Sequence, residues 1–170
     1  METIAVYWES KIRTYGFNLL EGLGLHQIDL PADRVSSWGR MLQSMADNEA
    51  SFRLVWFQRE TPGQIKFFLL CDAATWDRMP TFGERMATTD QGASPLAQTP
   101  ADVICFHGPH FGDRYGIMDF TYRALAQEPV PLLGVVCSVA TIYLVVPAGW
   151  GGKTQSLLMA AFEIPKSVKQ

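Results

Sequence analysis

The sequence lacks several features that mark common functional classes. Its three cysteines, Cys71, Cys105 and Cys137, include no CxxC pair, and it has three histidines. No apolar run approaches the roughly 20 residues that a membrane helix needs, and the first residues do not read as a secretion signal. The net charge of −3 leaves no basic stripe for nucleic acid. We therefore expect a soluble, cytoplasmic protein with buried free thiols that binds neither nucleic acid nor a membrane.

The first half of the chain predicts a β-α-β-β pattern followed by a weak helix. Residues 3–8, "TIAVYW", are typical of a strand, and the glycines within 13–30 favour extended pieces with a bend. Pro31 opens a helix that Asp33 can cap. Residues 51–58 and 64–71 then flank the turn signal "ETPG", which indicates a hairpin. The weak helix is predicted at "ATWDRM".

The second half predicts the order β-α-β-β-α more clearly. We expect strands at 102–107, 132–138 and 141–147, and helices at 114–127 and 155–163. Residues 80–101 are rich in Pro, Gly, Ser and Thr, which is typical of a linker or long loop. The halves repeat one pattern, although each lacks one strand of the ferredoxin-like βαββαβ plan. The strand at 3–8 could fill that gap, so that the halves would share strands.

The stretch "HGPHFGDRYGIMDF" is the strongest candidate binding site. Asp113 is placed to cap a helix that starts at Arg114, and Gly112 and Gly116 let the backbone approach a ligand closely. Free amides at a helix start attract a carboxylate or phosphate, and Arg114 adds a positive charge. The alternative is a capped turn that binds nothing.

Three other chemistries are weaker. His107, His110 and Asp113 are possible metal ligands, but their spacing alone does not bring them together. "GWGGKT" imitates a P-loop, but Pro147 stands where the motif needs its first glycine. Cys137 lies in a run of valines with no His or Asp nearby in sequence to lower its pKa. We expect no metal, no cofactor and no catalytic residue.

The segment "GDRYGI" resembles the Asp-Arg-Pro-Gly-Ile turn of ACT domains, which are small regulatory modules that commonly bind amino acids. The following "PVPLLGVVCSVATIYLVV" is similar to the second and third strands of the ACT pairs of aspartokinases. Tyr115 stands where the family often has proline. The resemblance implies an α+β fold: a tandem ACT-like repeat on the ferredoxin-like βαββαβ plan, with antiparallel sheets and helices on one face. It also implies ligand-binding residues at His110, Phe111, Gly112, Asp113, Arg114, Tyr115, Gly116, Ile117, Val136 and Ser138.

These observations lead to one functional expectation and two alternatives. We expect an atypical repeat at 1–79, a linker or long loop at 80–101 and a second repeat at 102–170. The protein would be an amino-acid-binding regulator and not an enzyme. The strands "FRLVWF" and "IKFFLL" carry large apolar residues on both faces, which favours a homodimer. The alternatives are a dimerisation or partner-docking module without a ligand and a small metal-dependent enzyme.

Overall fold

The computed structural model describes residues 11–47, 50–77 and 97–164. The strands are β1 (Gly16–Pro31), β2 (Phe52–Thr61), β3 (Gln64–Cys71), β4 (Ala97–His107), β5 (Gly134–Ser138) and β6 (Thr141–Pro147). The helices are α1 (Val35–Ala46), α2 (Ala73–Trp76), α3 (Ile117–Leu125) and α4 (Gly151–Ala161), and a 3-10 turn at Ala32–Arg34 precedes α1. The strands are hydrogen-bonded in the order β2-β3-β1-β4-β6-β5, so β2 and β5 lie at the sheet edges.

This mixed α/β architecture agrees with the predicted fold class, and both halves have the expected order β-α-β-β-α. The pairs β1/β3, β2/β3 and β5/β6 are antiparallel. The chain forms two compact units, one of Gly22–Ala101 and the other of Met1–Glu21 with Asp102–Gln170. Strands β1 and β4 each contribute residues to both units. The tandem ferredoxin-like topology and the repeat boundaries at 79 and 102 stay predictions.

In the unit of Gly22–Ala101, α1 covers one face of the antiparallel strands. The Trp38 side chain of α1 is fully buried, and its ring centroid lies 5.5 Å from that of Phe67 on β3. Ile28 and Leu30 of β1 and Leu69 of β3 belong to the same cluster. Because strand side chains alternate between faces, these residues share the side of the sheet that faces α1.

In the unit of Met1–Glu21 and Asp102–Gln170, α3 and α4 pack on one face of β4 and β6. Strand residues meet helix residues in a hydrophobic cluster there. Phe106 of β4 and Phe162, which follows α4, lie with ring centroids 5.3 Å apart and ring planes at 67°, an edge-to-face arrangement that aromatic pairs favour. The other buried members are Ile12, Ile104, Phe111, Ile117, Ala124, Leu125, Ile142, Leu144, Val146 and Leu158.

Several predicted boundaries are wrong, although the elements exist. The extended pieces expected at 13–30 form one strand, β1. Within it, Gly22 has a φ of 70°, a departure from extended backbone that corresponds to the expected bend. Asp33 lies inside the 3-10 turn and does not cap α1, which has no side-chain cap. Strand β4 begins at Ala97, inside the segment expected to be a linker.

Some expectations concern residues that the structure does not describe. The predicted strand at 3–8 and residues 80–96 of the expected linker lie outside the described residues, as does the tail from residue 165. Among the helices of the described residues, none is both long and apolar enough to cross a membrane.

The cysteines have three different environments. Cys71 is buried as expected, and burial raises the pKa of its thiol to about 12. Cys105 is half-buried. Cys137 is an exposed residue, so the expectation of a buried thiol is wrong there, because β5 is an edge strand. Partial burial of the Cys137 thiol still raises its pKa, which opposes formation of a nucleophilic thiolate.

Candidate functional site

The loop between β4 and α3 starts with a close backbone contact at Gly108. A Cβ on Gly108 would lie 2.3 Å from the carbonyl oxygen of Arg13 and 2.5 Å from Cε1 of Phe111. Only glycine fits between these atoms. The buried Phe111 ring packs at right angles to Phe106, with centroids 5.9 Å apart. The loop is therefore fixed to the core at its first turn.

A turn around His110 follows and determines where Asp113 lies. His110 has a positive φ of 65°, and its carbonyl accepts hydrogen bonds from the amides of Asp113 at 3.2 Å and Arg114 at 2.8 Å. The Asp113 carboxylate lies 3.6 Å from His110 Nδ1. The prediction that Asp113 caps the helix is wrong, because these bonds close the turn before the helix begins.

Helix α3 begins at Ile117 and not at Arg114. Its N-cap is Gly116, which has a φ of 82° in the left-handed region and makes no side-chain cap hydrogen bond. The first helical hydrogen bond runs from the Phe120 amide to the Gly116 carbonyl at 2.9 Å. Thr121, one turn into the helix, donates its hydroxyl hydrogen to the Ile117 carbonyl at 2.8 Å. The N-terminus of α3 therefore has no side-chain cap.

A half-open pocket of about 260 Å³ lies at this helix start. One wall is the loop and the first turn of α3, and the other is the β5–β6 hairpin. Its lining residues are Phe111, Arg114, Tyr115, Gly116, Ile117, Met118, Cys137, Val139, Thr141 and Ile142.

The pocket includes half of the residues that the sequence and the resemblance nominated. Phe111, Arg114, Tyr115, Gly116 and Ile117 line it. The other nominated residues are not among the lining residues, namely His110, Gly112, Asp113, Val136 and Ser138. Gly112 nevertheless lies beside the hairpin, because a Cβ on it would be 3.3 Å from Val139 Cγ1.

The resemblance placed strand β5 of the hairpin at the site through Val136 and Ser138, but it did not identify the hairpin residues that line the pocket. Cys137 pairs with Ile142 across β5 and β6, and both line the pocket. Val136 and Ser138 flank Cys137, and strand periodicity places their side chains on the opposite face. The short connection between the strands was a visible signal, since it brings Val139 and Thr141 to the tip of the hairpin.

The glycine-rich segment before α4 binds one of the chain's own carboxylates. Asp102 is almost fully buried, and its Oδ2 accepts hydrogen bonds from the amides of Gly149 at 2.7 Å and Gly151 at 3.2 Å. A Cβ on Gly151 would lie 3.0 Å from this carboxylate and 2.6 Å from Leu19 Cδ1. Helix α4 therefore begins at Gly151 and not at residue 155, and a carboxylate of the same chain accepts hydrogen bonds from the amides at its start.

The structure does not bring together a metal centre at the predicted histidines. His107 ends β4, and its ring centroid lies 5.3 Å from that of Tyr15. His110 and Asp113 are near each other, but no group of three or more His, Cys, Asp or Glu side chains within the described ranges could hold a metal ion.

Solved structures with similar folds come from aspartate kinases. The ligand-free regulatory subunit of aspartate kinase from Thermus thermophilus matches with a TM-score of 0.75 and 12% identity, over 88% of this chain and 99% of that chain. The chain has the fold of the aspartate kinase regulatory region. Such regions consist of ACT domains, so the resemblance to the ACT regions of aspartokinases is confirmed at the level of the fold. Identities this low establish the fold alone.

Longer aspartate kinase chains match over about a third of their length. Aspartate kinase from Synechocystis has a TM-score of 0.79 and 15% identity, over 99% of this chain and 30% of that chain. E. coli aspartokinase III in complex with lysine and aspartate has a TM-score of 0.60 and 12% identity, over 92% of this chain and 35% of that chain. This chain thus spans about a third of such kinases. No family sequence model matches the chain, and no curated protein sequence matches it.

Proposed function

We propose that this protein is a regulatory module that binds an amino acid in the pocket between the α3 N-terminus and the β5–β6 hairpin. The proposal rests on the pocket, which lies beside Arg114 at the start of a helix that has no side-chain cap. The fold supports a regulatory role, because it is found in aspartate kinase regulatory subunits and in an aspartokinase crystallised with lysine. The protein would act by binding and not by catalysis.

The ligand's carboxylate would bind at the start of α3. The first amides of a helix have no intrahelical acceptor, and the helix dipole favours negative charge there. Gly116, Ile117 and Met118 line the pocket and place these amides beside it. Arg114 supplies a positive charge on the same wall. In this proposal the ligand's carboxylate caps α3 in place of Asp113, because the Asp113 carboxylate lies against His110.

The two helix starts of this unit differ in a way that supports the proposal. At the start of α4, the amides of Gly149 and Gly151 already donate hydrogen bonds to the Asp102 carboxylate. The N-terminus of α3 has no side-chain cap and opens on the pocket. An added carboxylate would therefore bind at α3 and not at α4.

Ligand binding would change the protein by joining two of its elements. The pocket walls come from the loop before α3 and from the β5–β6 hairpin, and β5 is a sheet edge. A ligand that contacts both walls would fix the hairpin tip against the helix. We propose that this ordering alters how the β5 edge meets a neighbouring ACT-like unit.

Thermal shift with the twenty amino acids tests the proposal. A ligand at 100 times its Kd adds about 2.7 kcal/mol, which raises the melting temperature by roughly 5–10 °C for a chain of this size. Arg114→Ala should abolish the shift. Arg123→Ala is the matched control, because Arg123 is exposed and pairs with Asp119 outside the pocket. No shift with any amino acid would refute the proposal.

A homodimer is supported by the edge strand β2. Val55 and Phe57 are exposed large apolar residues on the same face of that strand. Edge strands of this kind pair readily with another chain. Light scattering should give a dimer for the wild type and a monomer for Phe57→Lys. Met159→Lys, at an exposed apolar residue of α4, should leave the dimer intact. In the alternative function, a docking module without a ligand, the same surface of β2 would bind the partner.

A further inference from the structure

We infer that the ligand is a single amino acid with a large apolar side chain, and that the pocket rejects lysine. The inference rests on the proposed function and identifies the class of ligand for the same site. It follows from which of the lining groups are polar and which are apolar.

The polar groups of the lining match a ligand backbone. Arg114 and the first amides of α3 can receive the carboxylate. The Thr141 hydroxyl, on the hairpin wall, can accept a hydrogen bond from the ligand's ammonium group. These groups recognise what all amino acids share and do not distinguish among side chains.

The apolar residues of the lining determine which side chain fits. Phe111, Ile117 and Ile142 line the pocket and belong to the buried core, so they form its floor. Tyr115 and Val139 line the pocket but are 96% and 86% exposed, so they flank its mouth. An apolar ligand side chain would cover both residues. Each methylene buried there tightens binding by about fourfold.

Among the described residues, the pocket lining offers no anionic partner for a cationic side chain. No Asp or Glu is among the lining residues of this pocket within the described part of the chain. The Asp113 carboxylate lies against His110, and Asp119 pairs with Arg123 at 2.9 Å. Of the side chains that the structure describes, the charged one that lines the pocket is that of Arg114, which repels an ammonium group. A lysine side chain would lose its hydration without gaining an ion pair, which is unfavourable.

The pocket volume limits the size of the ligand. At about 260 Å³ it is smaller than the pockets of roughly 300–1,000 Å³ that hold drug-sized molecules. A single amino acid fits this volume better than a nucleotide. The structure therefore favours leucine, methionine or phenylalanine over larger metabolites.

Calorimetric titration of the full chain with matched ligands tests the inference. Norleucine and lysine have side chains of similar length and differ in the terminal ammonium group. We expect norleucine and leucine to bind at least tenfold more tightly than lysine, and leucine at least tenfold more tightly than alanine. If lysine binds as tightly as norleucine, the inference is wrong while the proposed function stands. If no amino acid binds, the proposed function itself fails.

A charge at the mouth provides the second test. Val139→Glu places a carboxylate beside the pocket at an exposed position, so folding should be retained. We expect this variant to weaken leucine binding and strengthen lysine binding, each by about tenfold. Met159→Glu adds the same charge on α4, away from the pocket, and should leave both affinities unchanged. Equal behaviour of the two variants would show that the ligand binds elsewhere and would overturn the inference.

Discussion

Removal of the Asp102 carboxylate should strongly destabilise the unit that carries the pocket. Asp102 is 2% exposed, and its Oδ2 accepts hydrogen bonds from the amides of Gly149 and Gly151 at the start of α4. A hydrogen bond to a charged group contributes about 1.5–3 kcal/mol, and an N-cap residue about 0.5–2 kcal/mol. The two bonds share one acceptor and are not additive. We therefore expect Asp102→Ala to lower the free energy of unfolding by about 3 kcal/mol.

Calorimetry and urea denaturation measure this loss. A change of about 3 kcal/mol lowers the melting temperature by roughly 6–12 °C for a chain of this length. Asp102→Asn keeps an oxygen acceptor and should lose about 1 kcal/mol. Asp119→Ala is the control, because its exposed ion pair with Arg123 contributes less than about 1 kcal/mol. If Asp102→Ala costs no more than Asp119→Ala, the carboxylate does not stabilise the start of α4 and the reasoning is refuted.

Three further predictions concern packing and pH. Gly151→Ala should cost about 1–3 kcal/mol in a denaturant melt, because its Cβ would lie 2.6 Å from Leu19 Cδ1. Gly152→Ala meets open space within the same helix and should stabilise by up to about 1 kcal/mol, so equal effects would contradict the geometry. Gly108→Ala should cost at least as much as Gly151→Ala, since the contact at 2.3 Å is with a backbone oxygen that cannot rotate away; a neutral result in the same melt would be inconsistent with the close approach. Burial lowers the pKa of His26 from 6.5 to about 4, so the unfolded chain binds a proton between these values that the folded chain does not. Stability should therefore fall by roughly 2 kcal/mol from pH 7 to pH 5, and this fall should be smaller in His26→Leu, as melts at the two pH values can check.

Elements with local signals were predicted well from the sequence. The "ETPG" turn fixes the β2–β3 hairpin, in which Phe57 pairs with Phe67 and Trp56 stacks on Phe68 with ring centroids 4.6 Å apart. The short connection at residues 139–140 fixes β5 against β6. In both cases the turn residues lie next to the strands that they join. Such signals need no knowledge of distant parts of the chain.

The starts of α3 and α4 were not predicted because distant or competing contacts decide them. Asp102 stabilises the start of α4 from a position far earlier in the sequence, and no helical signal in "AGWGGKT" announces it. At α3, Asp113 has the right residue type for an N-cap. The bonds from Asp113 and Arg114 to the His110 carbonyl form a turn there instead, and the helix begins after Gly116.

For a similar reason, the sequence predicted only about half of the residues that line the candidate site. The loop residues from Phe111 to Ile117 are contiguous, so a single motif contains them. The hairpin wall depends on strand register and on which face of β5 meets α3. That register places Cys137 in the pocket and not its neighbours Val136 and Ser138. Spacing along one strand cannot supply this information.

Mapping of amide chemical shifts in ¹⁵N-labelled protein tests the central claim most directly. Leucine should be added at millimolar concentration to the full chain. We predict saturable shifts at the amides of Gly116, Ile117 and Met118 on one wall, and at Thr141 and Ile142 on the other. Amides near Asp102 and α4 should be unaffected. Saturable shifts confined to residues away from both walls, or no shifts with any amino acid, would contradict the account.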